Sequence, residues 1–339
     1  GTPANQLCLQ NIRTFQGTKD AGRKWYQLLN RIFENELDLI RSSYDQAIYS
    51  WTYNSHKSLV ALSTDDILLA TTHRDCYLRM QEIFTCHFKF TCTEGNIIRY
   101  LNARIIVSPY GISLDITDHI IRNVLADYWK NRKAPYTSSP FPLKSSFEQD
   151  LFFAPPLTGP DLKEMETRHN GSLYKWASTL QYVVQQARID LGYSVMRISG
   201  YMSSPNKQIF DVLHLTMSFL YHHPHRPFMY PSKPLPKIDM TGHFGAVKAE
   251  YLKAYKSFLV GAADSDLACD LRDRRSTTSN LITINNVATH WKIAKQPEPT
   301  TATSNAELMA LHSQLQEIKK VRNFSTSIGY LIMEPTTVF

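Results

Sequence analysis

Two adjacent carboxylates, Asp65 and Asp66, lie between the short apolar runs Leu59-Val60-Ala61-Leu62 and Ile67-Leu68-Leu69-Ala70. The runs read as the two arms of a hairpin with the acids at or beside its turn. Like charges about 4 Å apart repel by about 4 kcal/mol at an effective dielectric near 20, so such a pair sits in solvent or holds a cation. A hard divalent ion such as Mg²⁺ takes carboxylate oxygens, and paired ions of this kind stabilise the attacking and leaving oxygens of phosphoryl transfer. The same dipeptide also suits a plain turn, because Asp tolerates turn geometry and bonds its own backbone. Both readings stand at this point.

Several elements must position the pair. From Asp20, the spacing Trp25, Leu28, Leu29, Ile32, Phe33 predicts a helix, with Lys19, Arg23, Lys24 and Arg31 as cations on or near it. A solvated basic helix face is the plain reading of those charges. Tyr44 to Tyr53 predicts a strand leading into the hairpin, and Arg74 to Phe88 a helix after it. A strand at Ile97 to Val107 is expected next, then a turn at Ser108 to Gly111, a return at Ile112 to Leu114 and a helix at about Thr117 to Lys130.

Residues 131–162 carry six prolines among serines, and prolines 224, 227, 231, 234 and 236 punctuate a later stretch. Both read as linkers. Between them, helices are predicted at Leu173 to Met202 and Asn206 to Tyr221, whose apolar stripe reads as core. The last unit should hold a strand at Ser257 to Ala263, strands within Asn280 to Ile293 and a helix near Ser304 to Arg322. His222, His223 and His225 read as surface histidines at a helix end rather than as a metal tract.

At 339 residues and 43% hydrophobic, the chain can bury two or three cores. Net charge is +7, which suits an anionic partner and solubility equally well. Five cysteines without a Cys-x-x-Cys pair indicate neither a disulfide framework nor a zinc ribbon, and point to a reducing compartment. No run approaches the length of a membrane span and no signal segment opens the chain, so a soluble intracellular protein is expected. No Walker loop, dinucleotide fingerprint or Ser-His-Asp order is present.

The segment Gly17-Thr18-Lys19-Asp20-Ala21-Gly22-Arg23-Lys24-Trp25-Tyr26, followed by the Asp65-Asp66 hairpin, resembles the reverse transcriptase of copia-type LTR retrotransposons. The resemblance continues in order. Tyr100 to Ile105 with Gly111 to Leu114 is similar to the family's strand pair after the palm. Gly171 to Tyr174, Ala187 to Tyr193 and Ser204 to Asn206 are similar to its connecting region. Ala263 to Asp270, Arg272 to Thr277, Trp291-Lys292 and Ala306 to Ala310 are similar to its RNase H domain.

The resemblance implies an α+β chain: a partial right-hand palm and thumb over 1–131, a proline-rich linker over 132–162, a helical connection over 163–238 and an RNase H-like mixed α/β domain over 239–339. It implies that Asp65 and Asp66 are the palm metal acids and that Asp264 and Glu307 are the first two nuclease acids, with Mg²⁺ or Mn²⁺ as cofactor. Glu307 alone reads as a helix surface acid, and Asp266, Asp270 and Asp273 read as solvated loop acids. RNA template with DNA primer, RNA/DNA hybrid and the remainder of the Pol polyprotein are the implied partners. Lys19, Arg23, Lys24 and Arg31 would lie near template-primer, and Arg272, Arg274 and Arg275 near hybrid. The implied compartment is the cytoplasm, in a virus-like particle, or the nucleus.

Several positions depart from the family pattern. Ser63 and Thr64 stand where it has Tyr and Val, Leu267 replaces Trp, Ile189 replaces Pro, Asn305 replaces Glu, and Asn102 replaces a Gly. The last change requires a backbone that holds a side chain or an αL geometry. The family's other palm aspartate lies upstream of Gly17, and its third nuclease aspartate would follow the final strand, so a segment truncated at both ends is expected. RNA-directed DNA synthesis and RNase H cleavage would then belong to the complete polyprotein and be impaired or absent in this chain alone. The alternatives are a nucleic-acid-binding fragment without catalysis, or a degenerate remnant without selected function.

Overall fold

The computed structural model describes residues 20–130, 132–144, 146–232, 259–285, 287–333 and 335–339. The chain divides into two compact units, Gly1–Cys92 with Arg322–Leu331, and Thr93–Val321 with Ile332–Phe339. The expected boundary at 238/239 lies outside the described residues.

In the first unit, helix α1 (Ala21–Asn35) precedes a four-stranded antiparallel meander. Its strands are β1 (Ile40–Arg41), β2 (Ile48–Tyr53), β3 (His56–Ser63) and β4 (Asp66–Thr71), and helix α2 (Arg74–His87) follows. The predicted spacing holds: Leu29, Ile32 and Phe33 of α1 and Cys76, Met80 and Phe84 of α2 are buried with Tyr49, Trp51, Val60 and Leu62 of the sheet. Alternation along β3 sends Ser58, Val60 and Leu62 inward, as a half-buried strand requires.

The second unit holds two sheets and a helical layer. The expected single strand from Ile97 is instead a hairpin, β5 (Ile97–Tyr100) and β6 (Ala103–Ser108). It breaks because Leu101 (φ 49°) and Asn102 (φ 64°) are both left-handed, the geometry of a two-residue primed turn. The condition that the sequence set on Asn102 is therefore met. β7 (Gly111–Asp115) continues the sheet after the expected turn. The helix after it is α3 (Thr117–His119), a π-helical turn (Ile120–Leu125) and α4 (Ala126–Trp129), ended by Lys130 in the left-handed region.

The first proline-rich stretch is not a linker. It contains α5 (Phe147–Phe153), where Leu151 is fully buried, and runs into α6 (Gly159–Arg168), with Pro160 in the first turn, where proline fits a helix. Phe141, Phe147 and Leu157 pack on the main core, so the apolar residues among the prolines decide the outcome. That core is built by α7 (Leu173–Gln186), α8 (Gly192–Gly200) and α9 (Lys207–His222). The predicted continuous helix to Met202 is interrupted after α7. Arg188 is fully buried there, forking onto Asp190 at 2.9 Å through both Nε and Nη2 and donating to the His223 carbonyl at 2.8 Å. Asn206 caps α9 by accepting from the Ile209 amide at 2.9 Å, while its own amide group donates to the Leu151 carbonyl.

The second proline-rich stretch also departs from expectation, because it forms β8 (Phe228–Pro231), antiparallel to β7. Gly111 (φ 144°) permits that pairing: a Cβ there would lie 2.2 Å from the Tyr230 carbonyl oxygen. Prolines 234 and 236 and the start of the predicted strand at Ser257 lie outside the described residues.

The second sheet has the order β11-β10-β9-β12, formed by β9 (Leu259–Ser265), β10 (Thr277–Ile284), β11 (Val287–Lys295) and β12 (Thr337–Val338). β9, β10 and β11 are antiparallel, whereas β12 runs parallel to β9. Helix α10 (Thr303–Ser327) connects β11 to β12. Ile318 of α10 is buried with Leu259 and Ile282. Among the described residues no helix is long and apolar enough to cross a membrane.

Candidate functional site

The β3–β4 hairpin carries Asp65 and Asp66 where the flanking runs predicted. Ser63 pairs with Asp66, so Thr64 and Asp65 form the turn itself, with Thr64 left-handed at φ 55°. Both carboxylates are exposed. The tip is tied to α1, because the Trp25 indole Nε1 donates to the Thr64 carbonyl at 2.8 Å and the Trp25 ring packs edge-on against Phe88. Hydroxyl side chains at 63 and 64 therefore still permit the hairpin. Arg23, Lys24 and Arg31 are exposed on the same helix and form no ion pair among the described residues, and Lys19 lies outside those residues. Trp25→Phe keeps the ring and removes the donor. We expect a loss of about 1 kcal/mol, read in a chemical melt of the first unit, with faster amide exchange in the Ser63–Asp66 turn.

Asp264 and Glu307 are not brought together. Gly261 of β9 faces α10, since a Cβ there would lie 2.4 Å from Gln314. Asn280, opposite Ala263, is tied to the same helix, accepting from Ser313 Oγ at 2.8 Å. Alternation along the strand then places Asp264, opposite Ser279, on the sheet face turned away from α10, where it is exposed. Glu307 is an exposed acid near the start of α10. No hydrogen bond or ion pair joins the two. Among the described residues no group of three or more His, Cys, Asp and Glu side chains could hold a metal ion.

The sheet and helices do assemble a charge network that the sequence did not reveal. Asp270 is 1% exposed, not a solvated loop acid. Arg272 donates to its two oxygens from Nε at 3.0 Å and Nη2 at 2.7 Å, Lys295 Nζ contacts it closely, and Arg197 Nη1 lies 3.3 Å away. Arg197, itself 3% exposed, also pairs with Glu148 of α5. Burial would raise the Asp270 carboxyl, but the Arg272 and Lys295 hydrogen bonds and the Arg197 charge outweigh it and hold the group below the usual carboxylate range. Arg272 also donates to the Gly200 carbonyl at 2.7 Å and lies 3.8 Å over the Tyr201 ring. It is a structural arginine here, not a free contact for hybrid. Arg274 is exposed and Arg275 half-buried beside Asp273.

Two other acid and histidine groups were missed. Glu317 of α10 is 3% exposed and meets His290, Lys292 and Lys320 at 3.0–3.2 Å. His169 and His214 share the Tyr128 hydroxyl in the helical layer, at 2.6 and 3.4 Å. Glu317 and His214 are polar residues on otherwise apolar helix faces, whereas His169, at the end of α6, carried no such signal. The His222–His225 tract bonds separately: His222 to the Ala134 carbonyl and His225 to Thr117 Oγ1.

Over 329 residues, 96% of its length, the chain is 22% identical to the retrovirus-related Pol polyprotein from transposon RE1 of Arabidopsis thaliana, and it spans 20% of that protein. Over 138 residues, 41% of its length, it is 35% identical to secreted RxLR effector protein 161 of Plasmopara viticola, covering 82% of that protein. No protein-family model matches the sequence, and no solved structure matches the fold. The chain is of retrotransposon Pol-related origin, and it belongs to the family of the Plasmopara viticola protein.

Proposed function

We propose that the chain is a reverse transcriptase and RNase H segment of a retrotransposon polyprotein, which binds nucleic acid but supports little turnover by itself. The observation that carries this reading is the pair of exposed carboxylates, Asp65 and Asp66, side by side on a hairpin tip that an indole fastens to a cationic helix. Two further features support it. One is the near-complete span of the similarity to the Pol polyprotein. The other is the strand order β11-β10-β9-β12, with β12 parallel to β9 and α10 between β11 and β12, a mixed sheet of the kind that the RNase H resemblance implies.

The donor set fits a hard divalent ion, Mg²⁺ or Mn²⁺, through carboxylate oxygens, and such an ion supplies charge stabilisation to phosphoryl oxygens when bound. In this reading Asp65 and Asp66 hold the ion, while Arg23, Lys24 and Arg31 neutralise backbone phosphates. Of the nuclease residues, Arg274 and Arg275 would face hybrid, whereas Asp264, on the sheet face turned away from the helix that carries Glu307, is given no shared ion with it. Among the described residues no third His, Cys, Asp or Glu joins Asp65 and Asp66 in a metal-holding group.

A paired assay with Mg²⁺ or Mn²⁺ tests it: primer extension on an RNA template, and cleavage of RNA in an RNA/DNA hybrid. The expected result is hybrid binding that weakens steeply with salt, with a log–log slope of about −0.9 for each phosphate neutralised, and little extension or cleavage. Binding that ignores salt would sink the nucleic-acid reading. Robust extension abolished by Asp65→Asn with Asp66→Asn would instead show that the chain is an active polymerase, and cleavage abolished by Glu307→Gln an active nuclease.

A further inference from the structure

Asn170-Gly171 is the one Asn-Gly dipeptide in the chain, and it lies in the turn between α6 and α7. The turn is a Schellman motif that closes α6. The Gly171 amide donates to the Glu166 carbonyl at 2.9 Å, and the Asn170 amide donates to the Thr167 carbonyl at 3.2 Å. Asn170 takes the left-handed position of the motif, at φ 56°, which asparagine tolerates better than most residues. Its Nδ2 donates to the Tyr128 carbonyl at 2.7 Å and so ties the turn to α4.

Gly171 is equally constrained. Its φ is 156°, and a Cβ there would lie 2.8 Å from Lys175 Cδ and 3.0 Å from Trp176 Nε1. The fold thus calls for an amide side chain at one position and no side chain at the next. Together these demands assemble a reactive pair. In Asn-Gly no Cβ shields the second amide, so its nitrogen can reach the asparagine Cγ. Attack forms the Gly171 N–Asn170 Cγ bond and breaks Cγ–Nδ2. The displaced nitrogen leaves as ammonia with the Gly171 amide proton, and a succinimide remains. Water then opens the ring. Addition at Cγ gives aspartate, whereas addition at the main-chain carbonyl gives isoaspartate, with the backbone rerouted through Cβ.

Both reacting groups are engaged in the folded chain, the Gly171 N–H with Glu166 and Nδ2 with Tyr128. No residue of α6 itself is buried, which places this corner at the low-stability end of its unit. We propose that Asn170 is a site of spontaneous deamidation, held in check by the Schellman turn and released when that turn opens. The product carries a carboxylate where the donor to Tyr128 was. As isoaspartate it also adds a backbone methylene, which breaks the spacing of the Schellman hydrogen bonds. The inference stands apart from the retroelement reading, since it rests on no residue of either acid pair.

The test is to age the full chain in mildly alkaline buffer, folded and in urea, and to follow every asparagine by peptide mass spectrometry. Isoaspartate is counted by enzymatic methylation. Asn54, exposed and followed by Ser55, is the internal reference. In urea Asn170 should deamidate before Asn54 and all other asparagines, with isoaspartate among the products. In the folded chain its rate should fall by about tenfold or more, the factor that an opening free energy of about 1.4 kcal/mol or more supplies. Slower reaction at Asn170 than at Asn54 in urea, equal rates in the folded and unfolded chain, or a mass gain without isoaspartate would overturn the proposal.

Discussion

Asp270→Ala should unfold the second unit at far lower denaturant than the parent chain, with a loss of about 3–5 kcal/mol. The carboxylate is 1% exposed and receives Arg272, Lys295 and Arg197. Removing it strands the guanidinium of Arg197, itself 3% exposed, with only Glu148 as counter-charge, and it frees Arg272 from the fork that aligns it over Tyr201. A buried charge without its partner is costly because low-dielectric surroundings replace water. Asp273→Asn is the control: that acid is exposed and meets Lys295 at 3.1 Å, so its loss should cost under about 1 kcal/mol. Urea melts of the two variants make the comparison, and equal midpoints would refute the network's role. Because the Asp270 carboxyl is held below its ordinary range, its contribution is present at neutral pH and is lost as pH falls below about 4.

Acid should also destabilise the helical layer at a milder pH, through His169. The imidazole is 5% exposed, and burial first, then the nearby His214, Arg168 and Arg132, bring its pKa down from 6.5 to about 4. The sign follows from proton binding. Between these two values the unfolded chain takes up a proton that the folded chain refuses, so stability falls as pH falls. At 1.36 kcal/mol per pH unit the total is about 3 kcal/mol, complete once pH reaches about 4. His214, also lowered by burial, adds a loss of the same sign. Stability measured from pH 7.5 to 4.5 should show this slope, and His169→Gln should flatten it while keeping a polar partner for Tyr128. An unchanged slope in that variant would remove His169 as the cause.

Much of the architecture could be read from periodicity, because one-sided burial leaves a regular imprint. The spacing of Trp25, Leu28, Leu29, Ile32 and Phe33 gave α1, and the apolar arms around Asp65-Asp66 gave the β3–β4 hairpin. What escaped was set by single residues. Leu101 in a left-handed turn carries no sequence mark, since leucine is a poor residue for that conformation. Arg188 ends a helix because its buried guanidinium needs Asp190 and the His223 carbonyl, partners that only the tertiary fold supplies. Proline density suggested linkers, yet Phe141, Phe147 and Phe228 among those prolines were enough to anchor the chain. For the site, Asp65 and Asp66 could be read locally, being adjacent in sequence. Asp264 and Glu307 came from the family resemblance, and the structure leaves them apart. Asp270 was misjudged because a loop acid looks solvated until its three cations are seen around it.

The pairing of β7 with β8 has a consequence for how the chain can be made. Gly111–Leu114 must wait for Phe228–Pro231, more than a hundred residues later in the order of synthesis. Until α5 to α9 have emerged, the β5–β7 meander presents a bare edge next to Val107, Tyr110 and Ile112, which stay exposed even in the finished fold. An edge of unpaired amides and carbonyls beside exposed apolar side chains is a template for wrong partners. The interval between translating the two strands, several seconds or more at about 5–20 residues per second, is therefore the period in which a nascent chain is most exposed to aggregation, and in which a holdase would have its target.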